Sequence, residues 1–296
     1  MSKRLFARSV LSRNSKILSV KINLNNLRRK SFYTPSRLAK TFVTAFFAVA
    51  LLAPMNFVLI VPGDATPLFP KTLQIDGAQN YPVKGQLYLL TIYVTNPDSY
   101  VLGGEVLGCW IKQDCVAYPR SIMYSKSSTT SSEEKQGSVE MKQSQSGAVV
   151  ASIKAARAID PSISPNVITD KNVRVDLKKV GGPSGGLIFA LALTDLLTSE
   201  DIVKGRSIAG SGTIAADGSV GAIGGISEKI LAAKKAGATL LFASKENCDE
   251  IPKSVSGIKV VAVSTLNDAV QYLISGSSAE KSSDFKGVLG CTNLGA

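Results

Sequence analysis

The stretch GGPSGGLIFALALTDLL, residues 181–197, decides how this chain is read. Four glycines and Pro183 surround Ser184, a composition that makes a tight turn. From Leu187 to Leu197 the residues are apolar almost all round, which predicts a buried helix. Ser184 then stands at a helix N-terminus, where free backbone N–H groups favour negative charge. Those groups suit a tetrahedral oxyanion, and the glycines let a substrate backbone approach. Serine is also among the best N-cap residues, so the turn alone fits a structural role as well.

Working outward, the downstream sequence alternates. Residues 207–216 read as a strand, Asp217-Gly218 as a turn, and Ile226 to Ala236 as a helix capped by Gly237. Strands follow at Thr239 to Ala243 and Ile258 to Val263, then a helix from Ser264 or Thr265 to Ile274. Upstream, Gly85 to Val94 reads as a buried strand ended by Asn96-Pro97-Asp98. Residues 125–147 read either as a mobile polar segment or as the polar start of a helix running through Ala148 to Ala156. This alternation predicts an α/β (α+β) domain.

The chain of 296 residues contains no histidine. An activated serine must therefore find another base, and lysine is the usual substitute. Lys229 has the right placement. On a helical wheel that starts at Ile226 and turns about 100° per residue, Lys229 falls in the arc of Ile230, Ala233 and Ala236. Glu228, Lys234 and Lys235 fall on the polar side, Glu228 about 100° from Lys229. Burial disfavours the charged form and lowers a lysine pKa. The bland alternative is a lysine that snorkels its ammonium out of an apolar patch.

Net charge is +12, but residues 1–40 hold eleven Lys or Arg and no acid, leaving the other 256 residues near neutral. A basic stripe for nucleic acid is thus unsupported outside the tail. Thr41 to Val61 carries no charge over twenty-one residues, enough for a helix to cross a bilayer. The charge bias predicts the tail inside and the rest outside. A buried helix or a cleaved signal peptide, with Ala48-Val49-Ala50 as cleavage site, are the alternatives. Pro62 to Pro82 reads as a connector leaving the membrane. Four cysteines (Cys109, Cys115, Cys248, Cys291) follow, and their spacing resembles no zinc site. They allow three complete pairings, among which the residues alone do not choose.

Taken together, Gly182-Pro183-Ser184-Gly185-Gly186 and Gly224-Gly225-Ile226-Ser227-Glu228-Lys229 resemble the two signature motifs of the Lon protease proteolytic domain. Those are Gly-Pro-Ser-Ala-Gly and, some forty residues later, Gly-Gly-Leu-Lys-Glu-Lys. Ala-Ala-Lys-Lys-Ala-Gly after Leu231 and Lys245-Glu246-Asn247 before Ile251-Pro252 also resemble the family. The resemblance implies the Lon proteolytic fold, with Ser184 as nucleophile and Lys229 as general base. It implies Ser211 as the hydroxyl that orients the lysine, where the family has a threonine. Gly182 and Gly185 are the candidate oxyanion and substrate-backbone residues.

The connector, the Lys84-Gly85-Gln86-Leu87 strand and Asn247-Cys248 resemble a bacterial membrane-anchored branch of the family. That likeness favours a Cys248–Cys291 pair and, secondarily, Cys109–Cys115. Members of that branch normally carry a PDZ domain before the serine. Only about 25 residues separate Ala156 from Gly181, against a usual domain minimum of about 50, so that module is expected to be missing. No Gly-x-x-x-x-Gly-Lys-Ser/Thr phosphate loop occurs.

The expected organisation is a basic cytoplasmic tail (1–40), a single transmembrane helix (41–61), an extracytoplasmic part (62–180), the proteolytic core (181–276) and a C-terminal tail (277–296). The expected function is an ATP-independent serine endopeptidase of the bacterial cell membrane, needing no cofactor or metal and cutting proteins or peptides outside the cytoplasm. Family members often form rings, so a homo-oligomer is left open. The alternatives are a catalytically inactive Lon-like scaffold and, further off, a phosphate-binding domain like that of a small-molecule kinase.

Overall fold

A computed structural model describes residues 35–112, 114–177, 180–275 and 288–291. Most of the basic tail and most of residues 277–296 lie outside these. The chain divides into two units, residues 1–47 and 48–296. In chain order the helices are α1 (Arg37–Leu52), α2 (Gly103–Lys112), α3 (Arg120–Met123), α4 (Thr130–Ile159), α5 (Gly186–Leu197), α6 (Ile226–Lys235) and α7 (Leu266–Ser275). The strands are β1 (Pro54–Met55), β2 (Phe57–Pro67), β3 (Leu73–Ile75), β4 (Gln86–Val94), β5 (Val101–Leu102), β6 (Val116–Pro119), β7 (Val173–Val175), β8 (Ser207–Ser211), β9 (Thr213–Ile214), β10 (Val220–Gly221), β11 (Leu240–Ser244) and β12 (Lys259–Val263).

One mixed sheet organises the second unit. Its strand order is β12-β11-β8-β4-β2-β6, parallel from β12 through β4 and antiparallel across β4-β2 and β2-β6. Side chains alternate across the strands. Leu240 and Phe242 join Leu87, Leu89 and Ile208 in a core with α4, α5 and α7. Leu241 and Ala243 face the other way and pack with Ile226, Ile230 and Ala233 of α6. The parallel part of the sheet is thus buried on both faces, which explains why its strands read as continuous apolar runs. All twelve residues of α5 are buried, as its sequence requires.

The polar segment before residue 148 takes the second of its two expected forms. It is the front of α4, a 30-residue helix that starts in a capping box at Thr129 and Ser132. Its polar first half and apolar second half hid one continuous helix from a periodicity reading.

Two boundaries differ from expectation. The uncharged run 41–61 is not one helix: α1 ends at Leu52 after 16 residues, and Phe57–Val61 opens β2, with Val58 and Ile60 buried. At about 1.5 Å per residue α1 reaches about 24 Å, short of a hydrocarbon core of about 30 Å. Among the described residues no helix is long and apolar enough to cross a membrane. Pro54 accounts for the break, because it cannot donate into a helix, and with Met55 it pairs as β1 with β5. The supposed connector 62–82 is likewise structured, contributing the rest of β2 and all of β3. Because β2 and β4 belong to the same sheet as β8, the division at residue 181 does not separate two structural parts.

The far edge of the sheet is closed covalently. Cys248 and Cys291 form a disulfide with Cα atoms 5.7 Å apart. It holds residues 288–291 beside β12, where Ala262 N–H donates to the Leu289 carbonyl at 2.7 Å. Cys109 and Cys115 form the second disulfide, joining the end of α2 to the start of β6. The Cys248–Cys291 bond spans 43 residues. In the loop-entropy model, replacing both cysteines by serine should cost about 2–4 kcal/mol, read as a lower urea midpoint, with an m-value equal or higher because the unfolded chain can expand further.

Candidate active site

Ser184 lies in the turn between residue 180 and α5, and hydrogen bonds through main-chain carbonyls hold that turn from two sides. Ser144 Oγ of α4 donates to the Pro183 carbonyl at 2.8 Å. The N–H of Gly212, between β8 and β9, donates to the Ser184 carbonyl at 2.9 Å, and the Leu187 N–H returns a bond to the Gly212 carbonyl at 3.1 Å. Glycine is needed where these elements meet. A Cβ on Gly186 would come within 2.6 Å of both Ser144 Oγ and Ile214 Cγ2. Gly182 has φ +87°, a conformation that side chains disfavour.

Lys229 enters from the opposite face of the sheet, on the first turn of α6. Gly225 precedes the helix in a left-handed conformation, φ 68°. A buried latch fixes that approach: Asn247 Oδ1 accepts from Ile223 N–H at 3.0 Å while its Nδ2 donates to the Ile223 carbonyl at 2.8 Å. Glu246 Oε2 accepts from Ala222 N–H at 2.8 Å. These bonds give Lys245-Glu246-Asn247 a physical role: it sets the register of the strand-to-helix turn that carries Lys229.

Lys229 is 2% exposed, and burial pushes its pKa down to about 8, against a smaller opposing effect of the neighbouring Glu228 carboxylate. The wheel therefore placed Lys229 correctly. It misplaced Glu228, which is also buried, at 5% exposure. The wheel considers only the face that α6 turns to the sheet, whereas the turn at Gly225 also covers the first turn of the helix. Burial raises the Glu228 pKa, chiefly by desolvation.

Ser184, Lys229, Gly182 and Gly185 line one cavity of about 640 Å³, with Met141 of α4 and residues 89–94 of β4 as walls. The other sequence candidates take different places. Ser211 is fully buried, and its Oγ donates to the Ser184 carbonyl at 3.2 Å, so its bond positions the serine's main chain. The Gly182 N–H donates to the Gly137 carbonyl at 2.8 Å and is therefore not free for an oxyanion. Gly185 is the residue before α5, and a Cβ there would meet Leu89 Cδ1 at 2.5 Å. The cysteines are paired as described and lie outside this cavity. Sequence reasoning missed Asp64 and Tyr93, which also line the cavity. The Tyr93 hydroxyl donates to Asp64, and this bond raises the tyrosine's pKa. A bulge in β2 between Pro62 and Ala65 brings Asp64 to the cavity, and no local sequence pattern announced it.

The arrangement can bring a serine hydroxyl and a largely desolvated amine to one cleft. Comparison with known proteins gives the same direction. Residues 124–276, 153 of the 296, match the family model of the Lon protease (S16) C-terminal proteolytic domain. Lon protease 1 of Bacillus subtilis is 35% identical over 99 residues, covering 32% of this chain and 12% of that protein. Lon protease of Chloroflexus aggregans is 31% identical over 143 residues, covering 46% and 17%. Lon protease of Brucella suis is 32% identical over 142 residues, covering 45% and 17%. The chain thus spans less than a fifth of the length of these curated relatives. The matched region takes in α4, α5, α6, the β8 to β12 half of the sheet and the Ser144 and Gly212 bonds that hold the Ser184 turn, and the chain belongs to the Lon (S16) proteolytic-domain family.

Proposed function

We propose that this chain is a serine endopeptidase in which Ser184 is the nucleophile and Lys229 the general base. The observation that carries this reading is the buried lysine lining the serine's own cleft. A lysine with its pKa lowered to about 8 has an appreciable neutral fraction near neutral pH, which an ordinary lysine lacks. Neutral Nζ takes the proton from Ser184 Oγ as the oxygen attacks the substrate carbonyl carbon. The carbonyl oxygen becomes an oxyanion. The N–H groups of Gly182, Gly186 and Leu187 are already engaged, so the donors assigned to it are those of Ser184 and Gly185. On collapse the C–N bond breaks and the leaving amine takes the proton from Lys229. A water, deprotonated in turn by Lys229, then hydrolyses the acyl-serine.

The cleft at 640 Å³ holds a few side chains of an extended segment, so flexible or unfolded polypeptides are the fitting substrates. The reading needs no nucleotide, and cleavage is expected without ATP. The two disulfides favour an oxidising, extracytoplasmic compartment. The phosphate-cradle alternative leaves the lowered pKa of Lys229 without a use, since binding an anion needs only an ordinary charged lysine.

Ser184→Ala and Lys229→Ala should each reduce casein or peptide cleavage without ATP by about 10⁴-fold or more, following other serine nucleophile–base pairs. Wild-type kcat/KM should rise through a single ionisation near pH 8, and a serine-directed phosphonate should label wild type and not Ser184→Ala. Equal cleavage by wild type and Ser184→Ala would falsify the assignment.

Lys229 also carries a stability cost whose sign is fixed. Its folded pKa of about 8 lies below the unfolded 10.5. Below pH 8 the lysine is charged in both states and the folded chain bears the full cost of burying it. That cost falls as pH rises from 8 to 10.5, where the unfolded state binds more protons. The difference corresponds to about 3 kcal/mol. Lys229→Met should therefore be inactive yet more stable than wild type at pH 7. The gain should shrink at pH 10, as chemical denaturation at the two pH values will read.

A further inference from the structure

The apolar surface of residues 48–296 is unevenly spread. Among the described residues of this unit, sixteen large apolar side chains are exposed, and twelve of them fall in residues 49–52 and 100–123. The helix α2 shows why this is unusual. Leu107, Trp110 and Ile111 stand three and four residues apart and so share one helix face. That face is the outward one: Trp110 is 76% exposed and Ile111 67% exposed. The single buried residue of α2 is Cys109, about 160–200° round the helix from Leu107 and Ile111. Glu105 and Lys112 fall within about 60° of Cys109 on the wheel, and both are exposed. The helix is amphipathic with its apolar stripe turned outward, the reverse of a helix that serves only its own core.

The face is also held rigidly. The Cys109–Cys115 disulfide ties α2 to β6, and β6 pairs with β2 at the sheet edge. The Gly103 N–H, at the start of α2, donates to the Ala53 carbonyl at 3.0 Å. Gly103 and Gly104 let the chain at Ala50 and Leu51 approach closely, and a Cβ on Gly103 would overlap the Ala50 carbonyl. At the other end of β6, Ile122 of α3 is 71% exposed, and Tyr100, just before β5, is 79% exposed.

We infer that this face, built from the end of α1, α2, β6 and α3, docks into the interfacial region of an anionic lipid bilayer. Three features select lipid as the occupant. First, the face opens where α1 ends, and α1 is an uncharged helix after Lys40 with no buried residue, a composition that only an apolar medium satisfies all round. Second, eleven Lys or Arg without an acid occur in residues 1–40, complementing anionic headgroups. Third, the most exposed large side chains of the face include Trp110 and Tyr100, residue types that settle at the headgroup level. An interfacial helix buries its stripe by about 5–10 Å and needs no membrane-spanning length. The docking leaves the Ser184 cleft near the lipid. Ile60 pairs with Val116 of β6, and Asp64, four residues further along β2, lines the cleft, about 13 Å away at about 3.3 Å per residue. This inference rests on surface chemistry and is independent of the proteolytic reading.

Trp110 is the only tryptophan of the chain, so its emission reports this face alone. The full chain should be reconstituted with vesicles of phosphatidylcholine and phosphatidylglycerol, and with the same vesicles made from lipids brominated near the headgroup end of the acyl chains. The expected result is a blue-shifted Trp110 emission in plain vesicles and a marked loss of intensity in brominated ones. Ile111→Asp with Ile122→Asp should return the emission to that of a water-exposed indole while the chain still floats with the vesicles. The idea fails if wild type floats with the vesicles yet its emission stays solvent-like and unquenched, since α1 alone then holds it. It fails also if the blue shift appears without lipid and grows with protein concentration, because the face is then an interface between copies of this chain.

Discussion

The turn at Ser184 depends on three carbonyl anchors and one missing side chain. Ser144 from α4 and Gly212 from the β8–β9 bend grip the Pro183 and Ser184 carbonyls, and Gly186 lets both elements close on the first turn of α5. With those carbonyls occupied and the N–H groups of Gly182, Gly186 and Leu187 engaged, the turn is held almost wholly through its main chain. Ser211 adds a further bond to the same carbonyl. The rigidity of this turn therefore comes from long-range contacts, 39 residues apart in the case of Ser144 and Pro183. Short-range sequence could supply the glycines but not the partners.

The second half of the site is organised from the other side of the sheet. Parallel strands β8 and β11 require a crossover, and α6 is that crossover. Its N-terminus falls beside β4, so an inward-facing residue of its first turn reaches the cleft. Burial there costs stability and creates reactivity for the same reason: desolvation disfavours the charged amine. The Asn247 latch and the nearby Cys248–Cys291 bond reinforce the turn that carries this cost.

Much of this was legible in residues alone. The α5, α6, β11, β12 and α7 segments followed from periodicity, Gly237 from its helix-ending position, and Lys229 from an apolar arc. Glu228 was misread because a helical wheel knows one covered face, whereas the first turn of α6 is covered on two. The run 41–61 was misread because hydropathy counts charges and does not see that Pro54 separates a helix from a core strand. The role expected of Ser211 was tied to the lysine, and its hydrogen bond goes instead to the serine's main chain.

The sequence by itself determined the chemistry on offer: a serine in a glycine turn, a lysine in an apolar arc, and no imidazole to compete. It also determined the two-faced burial of the sheet, because apolar runs can be satisfied only between two layers. Tertiary structure alone decided which groups share a cleft, since Ser184 and Lys229 come from opposite faces of the sheet and line one cavity beside β4. It alone decided that the stripe of α2 points outward, because Cys109, on the other side of the helix, is buried and tied by its disulfide to the start of β6. Local pattern sets which residues want burial; the global packing of strands and crossovers sets which of them obtain it.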